Sequence, residues 1–232
     1  MMRDFPRRTA TAVIYAAVVI AAVAAPPVVF WVLLVAVGAL GLGELLALRA
    51  AGRPALLFGA LFFTGLADLG LLRELGSFGA RHGTPVDLPV WLLLTILATW
   101  AADVVAYLVG SAIGRHRLAP HISPGKTWEG TIAGFVASAV VVLAVAAPFG
   151  LARVPILLAA VGLGPAGLAG DLLESYVKRR AGVKDSGTIL PGHGGVLDRL
   201  DSLVAAATFM VVVGTAWSLS QLGSEGGNFD RF

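Results

Sequence analysis

The chain contains no cysteine, so disulfides and thiolate-ligated metal are both excluded. Charge is scarce as well. Asp, Glu, Lys and Arg make up 13% of the 232 residues, about half of the roughly 25% usual in globular chains. No stretch alternates polar and apolar residues with period two, which argues against a transmembrane β-barrel. No internal repeat or low-complexity tract is visible, and nothing suggests an appended soluble domain or a nucleic-acid partner.

Apolar residues fill the space that charge leaves, at 57%. Runs long enough to cross a bilayer, roughly 17–25 residues, fall near 9–25, 27–48, 55–72, 88–110, 131–149, 154–177 and 196–220. Lipid offers no partners to free backbone groups, so such runs must be helices. The expected fold is therefore all-α: a polytopic integral membrane bundle of about seven transmembrane helices. It reads as one transmembrane catalytic domain, with N-terminal helices over 1–85 and catalytic helices and loops over 86–222. The first run, preceded by Arg3, Arg7 and Arg8, resembles a signal peptide, but with so many spans after it a retained helix is expected. Pro26-Pro27 is expected to mark a tight hairpin.

The few charges are distributed unevenly. With Arg3, Arg7 and Arg8 in the cytoplasm, alternation of spans brings Arg49, Arg53, Arg115, Arg117, Lys126, Lys178, Arg179, Arg180 and Lys184 to the same side. The other side receives Arg73, Arg81, Arg153 and Arg231. By the positive-inside rule the two longest polar loops, 111–130 and 178–197, face the cytoplasm. Those loops therefore meet what the cytoplasm supplies, nucleotides included.

Acidic residues within spans are costly and usually mark a site. Glu44, Asp68, Asp103, Asp171, Glu174, Asp198 and Asp201 are of this kind, though for Glu44 and Asp68 a position near a helix end or a pairing with a basic residue is the favoured reading. Asp198 and Asp201 stand three apart, on one helical face, and Asp171 and Glu174 form a second such pair. Two carboxylate pairs joined by a basic loop suit a hard divalent cation shared with phosphates. The competing reading is a helix-start charge facing solvent. Glycines around Lys184-Asp185-Ser186-Gly187 and Pro191-Gly192-His193-Gly194-Gly195 would let backbone N–H groups approach an anion. Gly125-Lys126-Thr127 invites a P-loop reading, but position 120 is proline and no strand is expected before it, so that reading fails. A lysine and two hydroxyls at a helix start remain, which suits phosphate contact. Gly110 and Gly114 are read as a close helix-packing seam.

The run Ser175-x-Val177-Lys178-Arg179-x4-Lys184-Asp185-x-Gly187-x2-Leu190-Pro191-x-His193-Gly194-Gly195-Val196-x-Asp198-Arg199-Leu200-Asp201 resembles the signature of the phosphatidate cytidylyltransferases, or CDP-diglyceride synthases. Upstream, Asp103-x2-Ala106-Tyr107-x2-Gly110 and Leu118-x-Pro120-x-Ile122-Ser123-Pro124-x-Lys126-Thr127-Trp128-Glu129-Gly130 are similar to the same family. Val104 and Val105 depart from it, standing where small residues are expected. The resemblance spans about residues 90–205.

It implies a membrane enzyme making CDP-diacylglycerol and pyrophosphate from CTP and phosphatidate, with Mg²⁺ and room for a second, monovalent cation. A homodimer among membrane lipids is the implied setting, with the site facing the cytoplasm. Carried over by position, Asp171, Asp198 and Asp201 are the implied metal ligands. Lys178, Arg179, Lys184 and His193 would contact phosphates, with Asp185 and Arg199 completing the catalytic set. Ser123, Lys126 and Thr127 would place CTP or the lipid phosphate. Asp103, Tyr107, Glu129, Glu174, Ser175, Gly194 and Gly195 complete the substrate-binding set. A sister lipid transferase, such as an archaeal ether-lipid enzyme or a polyprenol kinase, is the alternative within the class. A transporter is the alternative outside it; that would place charges near the bilayer midplane. The D-x2-D-G-x2-A-R pattern of CDP-alcohol phosphotransferases is absent.

Overall fold

The computed structural model describes residues 5–75, 89–149, 151–189 and 194–222. His193, the one expected phosphate contact in the 190–193 segment, lies outside the described residues.

Seven α-helices form among the described residues: α1 (Phe5–Ala24), α2 (Pro27–Ala47), α3 (Arg53–Leu75), α4 (Val90–Ile113), α5 (Trp128–Ala146), α6 (Arg153–Arg180) and α7 (Leu197–Leu222). Each matches one expected run within a few residues. Six of them, α2 to α7, are long and apolar enough to cross a membrane. The protein is a multi-pass, all-α membrane bundle. In α1 the uncharged stretch after Arg8 starts at Thr9 and ends at Ala24, slightly short of the roughly 17 residues a full span needs.

The ends of the helices follow from local chemistry. Pro26 precedes α2 and Pro27 is its first residue, where a missing N–H costs nothing and φ is already helical. This is the tight α1–α2 hairpin expected from the sequence. Arg73, buried near the end of α3, donates to the Ala25 carbonyl of that hairpin and lies 5.7 Å from the Phe30 ring centre. The Trp31 indole N–H donates to Glu74 at 3.1 Å. These contacts tie α3 to the α1–α2 turn at one end of the bundle.

Helix pairs approach closely where side chains are smallest. A methyl group placed on Gly130 would stand 2.4 Å from the Ala106 carbonyl oxygen, and one on Gly170 would stand 2.2 Å from that of Asp201. Small residues let backbones touch, the usual device where lipid offers no hydrophobic drive for helices to associate. The α6–α7 contact made this way carries the acidic pairs of both helices.

One expectation requires correction. The segment before α5 is a two-stranded antiparallel hairpin, β1 (Arg117–Ala119) with β2 (Ser123–Thr127). The sequence predicted a loop without strands. Pro120 sits in the turn, and β2 is the polar run Ser-Pro-Gly-Lys-Thr, so no apolar alternation announces it. Backbone pairing alone makes the strand. Thr127 then caps α5, its hydroxyl accepting the Gly130 N–H at 3.2 Å, as expected for a hydroxyl at a helix start.

Candidate active site

The C-terminal ends of α4 and α6, the N-terminal ends of α5 and α7, and the β-hairpin enclose a cavity of about 720 Å³. Asp103 and Tyr107 line it from α4, Ser123, Lys126 and Thr127 from the hairpin, and Asp171 and Lys178 from α6. Asp185 lines it from the following loop, and Asp198, Arg199 and Asp201 from α7. Eleven residues singled out from the sequence thus meet in one space. Arg117 of β1 also lines it, and the sequence reading treated that residue only as a topological charge. Phe135, Leu168 and Ala102 supply apolar wall.

Within the cavity each lysine is held by a carboxylate. Lys126 pairs with Asp171 at 2.5 Å, and Ser175 donates to the other Asp171 oxygen at 3.3 Å. Lys178 lies between Glu174, one turn earlier on α6, and Asp198 at the start of α7. The side chains of Lys178, Glu174 and Asp198 are only 11%, 1% and 6% exposed. This ion-paired trio joins the two helices from inside.

The glycine-rich loop does bring N–H groups to an anion, and the anions it meets are the protein's own. Asp198 Oδ2 accepts from Gly195 N at 2.7 Å, Ser186 N at 2.9 Å and Ser186 Oγ at 3.0 Å. Glu44, from the end of α2, accepts from Val196 N at 2.8 Å, Leu197 N at 3.0 Å and Ser186 Oγ at 2.8 Å. The first N–H groups of a helix have no partner inside it. Here a distant carboxylate supplies one. A side chain on Gly195 would collide with both Glu44 and Ser186, and Gly194 takes a φ of 81°, so both positions demand glycine.

A model described as the cytidylyltransferase family matches residues 55–217, from α3 into α7. The chain belongs to that family. Among curated relatives, the phosphatidate cytidylyltransferase of Brucella abortus biovar 1 is 42% identical over 164 residues, covering 68% of this chain and 56% of the relative. That of Staphylococcus saprophyticus is 45% identical over 116 residues, 49% of this chain and 45% of the relative. That of Haemophilus influenzae is 43% identical over 125 residues, 51% of this chain and 43% of the relative. The chain spans about half the length of the curated relatives it matches.

The remaining family-implied positions lie around the cavity rather than along it. Glu174 and Ser175 brace Lys178 and Asp171 from behind, and Gly195 braces Asp198. Arg179 spans two segments: its Nε donates to the Ile122 carbonyl at 3.2 Å and its Nη1 to that of Val183 at 3.3 Å. It thereby ties the β-hairpin turn to α6. Glu129 accepts from the His116 ring at 2.7 Å and from the His116 backbone at 3.2 Å, which closes the base of the hairpin. Lys184 is exposed on the loop. Among the described residues no three His, Cys, Asp or Glu side chains are gathered as a ready-made metal cage. The carboxylates that line the cavity from three helices are hard oxygen donors, the kind that holds a divalent cation jointly with phosphates. Asp201 lines the cavity and fits that role, and Asp171, with one oxygen paired to Lys126 and the other accepting from Ser175, fits it only if Lys126 lets go. Asp198, with both oxygens engaged, fits it only if Lys178 lets go.

Proposed function

We propose that this protein transfers the cytidylyl group of CTP to phosphatidate, giving CDP-diacylglycerol and pyrophosphate. The observation that carries this reading is the cavity at one end of a membrane bundle, where lysines and arginines face aspartates beside an apolar wall. Membership of the cytidylyltransferase family supports it, as do relatives whose names specify phosphatidate as the acceptor.

The chemistry asks for what the cavity contains. A phosphatidate oxygen attacks the α-phosphorus of CTP, a new P–O bond forms, and the bond to the β-phosphate oxygen breaks as pyrophosphate leaves. Both reactants are anions, so cations must bring them together. Positioning and charge stabilisation dominate such transfers. Lys126 and Lys178, now paired with Asp171 and Asp198, are the cations able to turn toward phosphate oxygens. Arg117 and Arg199 offer further positive charge from opposite walls. The phosphatidate oxygen is already ionised at neutral pH, so no side chain is assigned as general base.

Magnesium is the cation we propose for the site, with Asp201 as a protein ligand, joined by Asp171 once freed from Lys126 and by Asp198 once freed from Lys178. It would neutralise phosphate charge and stabilise the leaving pyrophosphate. The one-sided distribution of basic residues supports a cavity that opens to the cytoplasm, where CTP is present, in a cytoplasmic membrane that supplies the lipid laterally. Purified protein given labelled CTP, phosphatidate and Mg²⁺ is expected to form labelled CDP-lipid. Failure to do so, with the protein folded and lipid dispersed, would refute the reading.

A further inference from the structure

Glu44 lies on α2, before the 55–217 stretch that the family model matches, and 142 or more residues from every catalytic-loop group it bonds. It is 5% exposed, and its partners among the described residues are N–H and O–H donors of the loop before α7 and of the first residue of α7.

Its contacts share one target. Oε1 and Oε2 accept the N–H groups of Val196 and Leu197, which fixes where α7 begins. Oε2 also accepts from Ser186 Oγ, which lies 3.0 Å from Asp198 Oδ2. The single Ser186 hydroxyl can donate to one carboxylate at a time, so Glu44 and Asp198 compete for its proton. The loop is shaped to permit this. Methyl groups on Gly187 and Gly195 would stand 2.6 and 2.3 Å from Glu44 oxygens. Two glycines of the loop are thus accounted for by a residue on another helix.

We propose that Glu44 is a positioning residue for cytidylyl transfer, setting the place and the hydrogen bonding of Asp198 through Ser186 and the first turn of α7. The proposal rests on the transfer activity proposed above. Outer partners of ligating carboxylates typically matter by about 10–100-fold when lost, and Glu44 stands in that relation to Asp198.

The test compares Glu44→Gln, Ser186→Ala and the double variant in the full-length protein. Glu44→Gln preserves volume and one acceptor oxygen while placing an N–H₂ group where only donors converge. It is expected to lower kcat on the order of tenfold with little change in KM for CTP. If Glu44 works through Ser186, the double variant is about as slow as the worse single one; if the two act separately, their fold-losses multiply. Hydrogen exchange at the amides of Val196 and Leu197 is expected to speed up in Glu44→Gln and to remain near wild type in Ser186→Ala. Wild-type kcat in Glu44→Gln, a change confined to KM, or multiplying losses would each overturn the proposal. Should the wild-type protein make no CDP-lipid, the transfer reading falls by itself. Exchange then decides the placement of α7 by Glu44, and unchanged exchange in Glu44→Gln refutes it.

Discussion

Replacing Lys178 by Met tests how the site is held together. Met retains the length and apolar stem of lysine but removes the cation between Glu174 and Asp198. Both carboxylates are nearly inaccessible and face the same point. Removing one partner from a buried ionic group costs about 3–5 kcal/mol, since the remaining charge is left uncompensated in a poor dielectric. For a chain of this size each kcal/mol shifts the unfolding midpoint by roughly 2–4 °C. Lys178→Met should therefore lower the midpoint by about 6–20 °C. Adding Glu174→Gln removes one of the two stranded charges and should recover a large part of that loss, even though it breaks a second residue. The measurement is thermal unfolding in detergent, all variants being scanned at one rate because membrane proteins often unfold irreversibly. A Lys178→Met midpoint within about 2 °C of wild type, or a double variant less stable than the single one, would show that the trio does not stabilise the helix junction as described.

Asp171→Asn and Asp201→Asn are each expected to insert normally and lose most CDP-lipid formation, since each removes a proposed metal ligand; near-normal rates would sink the assignment. Chelation of divalent cations should abolish turnover, and added Mg²⁺ should restore it. Val183, exposed in the α6–α7 loop, offers a labelling site in a chain without native cysteine. Val183→Cys should react with impermeant reagents only in inside-out vesicles, and reaction from the outer face would invert the topology. Gly65→Leu would drive a side chain into Val204, whose backbone carbonyl lies 2.4 Å from an added methyl position. It should separate α3 from α7 and destabilise the bundle by about 1–3 kcal/mol or more, read as reduced thermal survival in detergent.

The membrane class and the helix positions could be read from composition and run length alone. All seven runs became helices, because in lipid a span has no other way to satisfy its backbone. The gathering of the motif residues was legible too: Asp103, Lys126, Asp171, Lys178, Asp198 and Asp201 come from three helices and the hairpin and line one cavity. The β-hairpin was not legible, since its second strand is held by backbone hydrogen bonds and carries no apolar alternation. Glu44 was flagged as a costly acid within a span, but nothing in its neighbours Gly43 and Leu45 indicated its partners. Gly187 and Gly195 were read as making room for a phosphate, and in the structure they make room for the Glu44 carboxylate.

The sequence by itself determined that this chain lives in a membrane, which apolar runs become helices among the described residues, which ends carry the charge, and where the lysines, arginines and carboxylates stand along the chain. Those properties depend on length, hydropathy and residue type, all of which act along the chain. Only the tertiary structure decided the pairings: Lys126 with Asp171, Lys178 between Glu174 and Asp198, Arg179 with the hairpin turn, and Glu44 with the start of α7. Such pairings depend on the rotation and close approach of helices that lipid leaves equally apolar on every side. Small residues such as Gly130 and Gly170 set that approach, and their effect appears only when the facing backbone is in place.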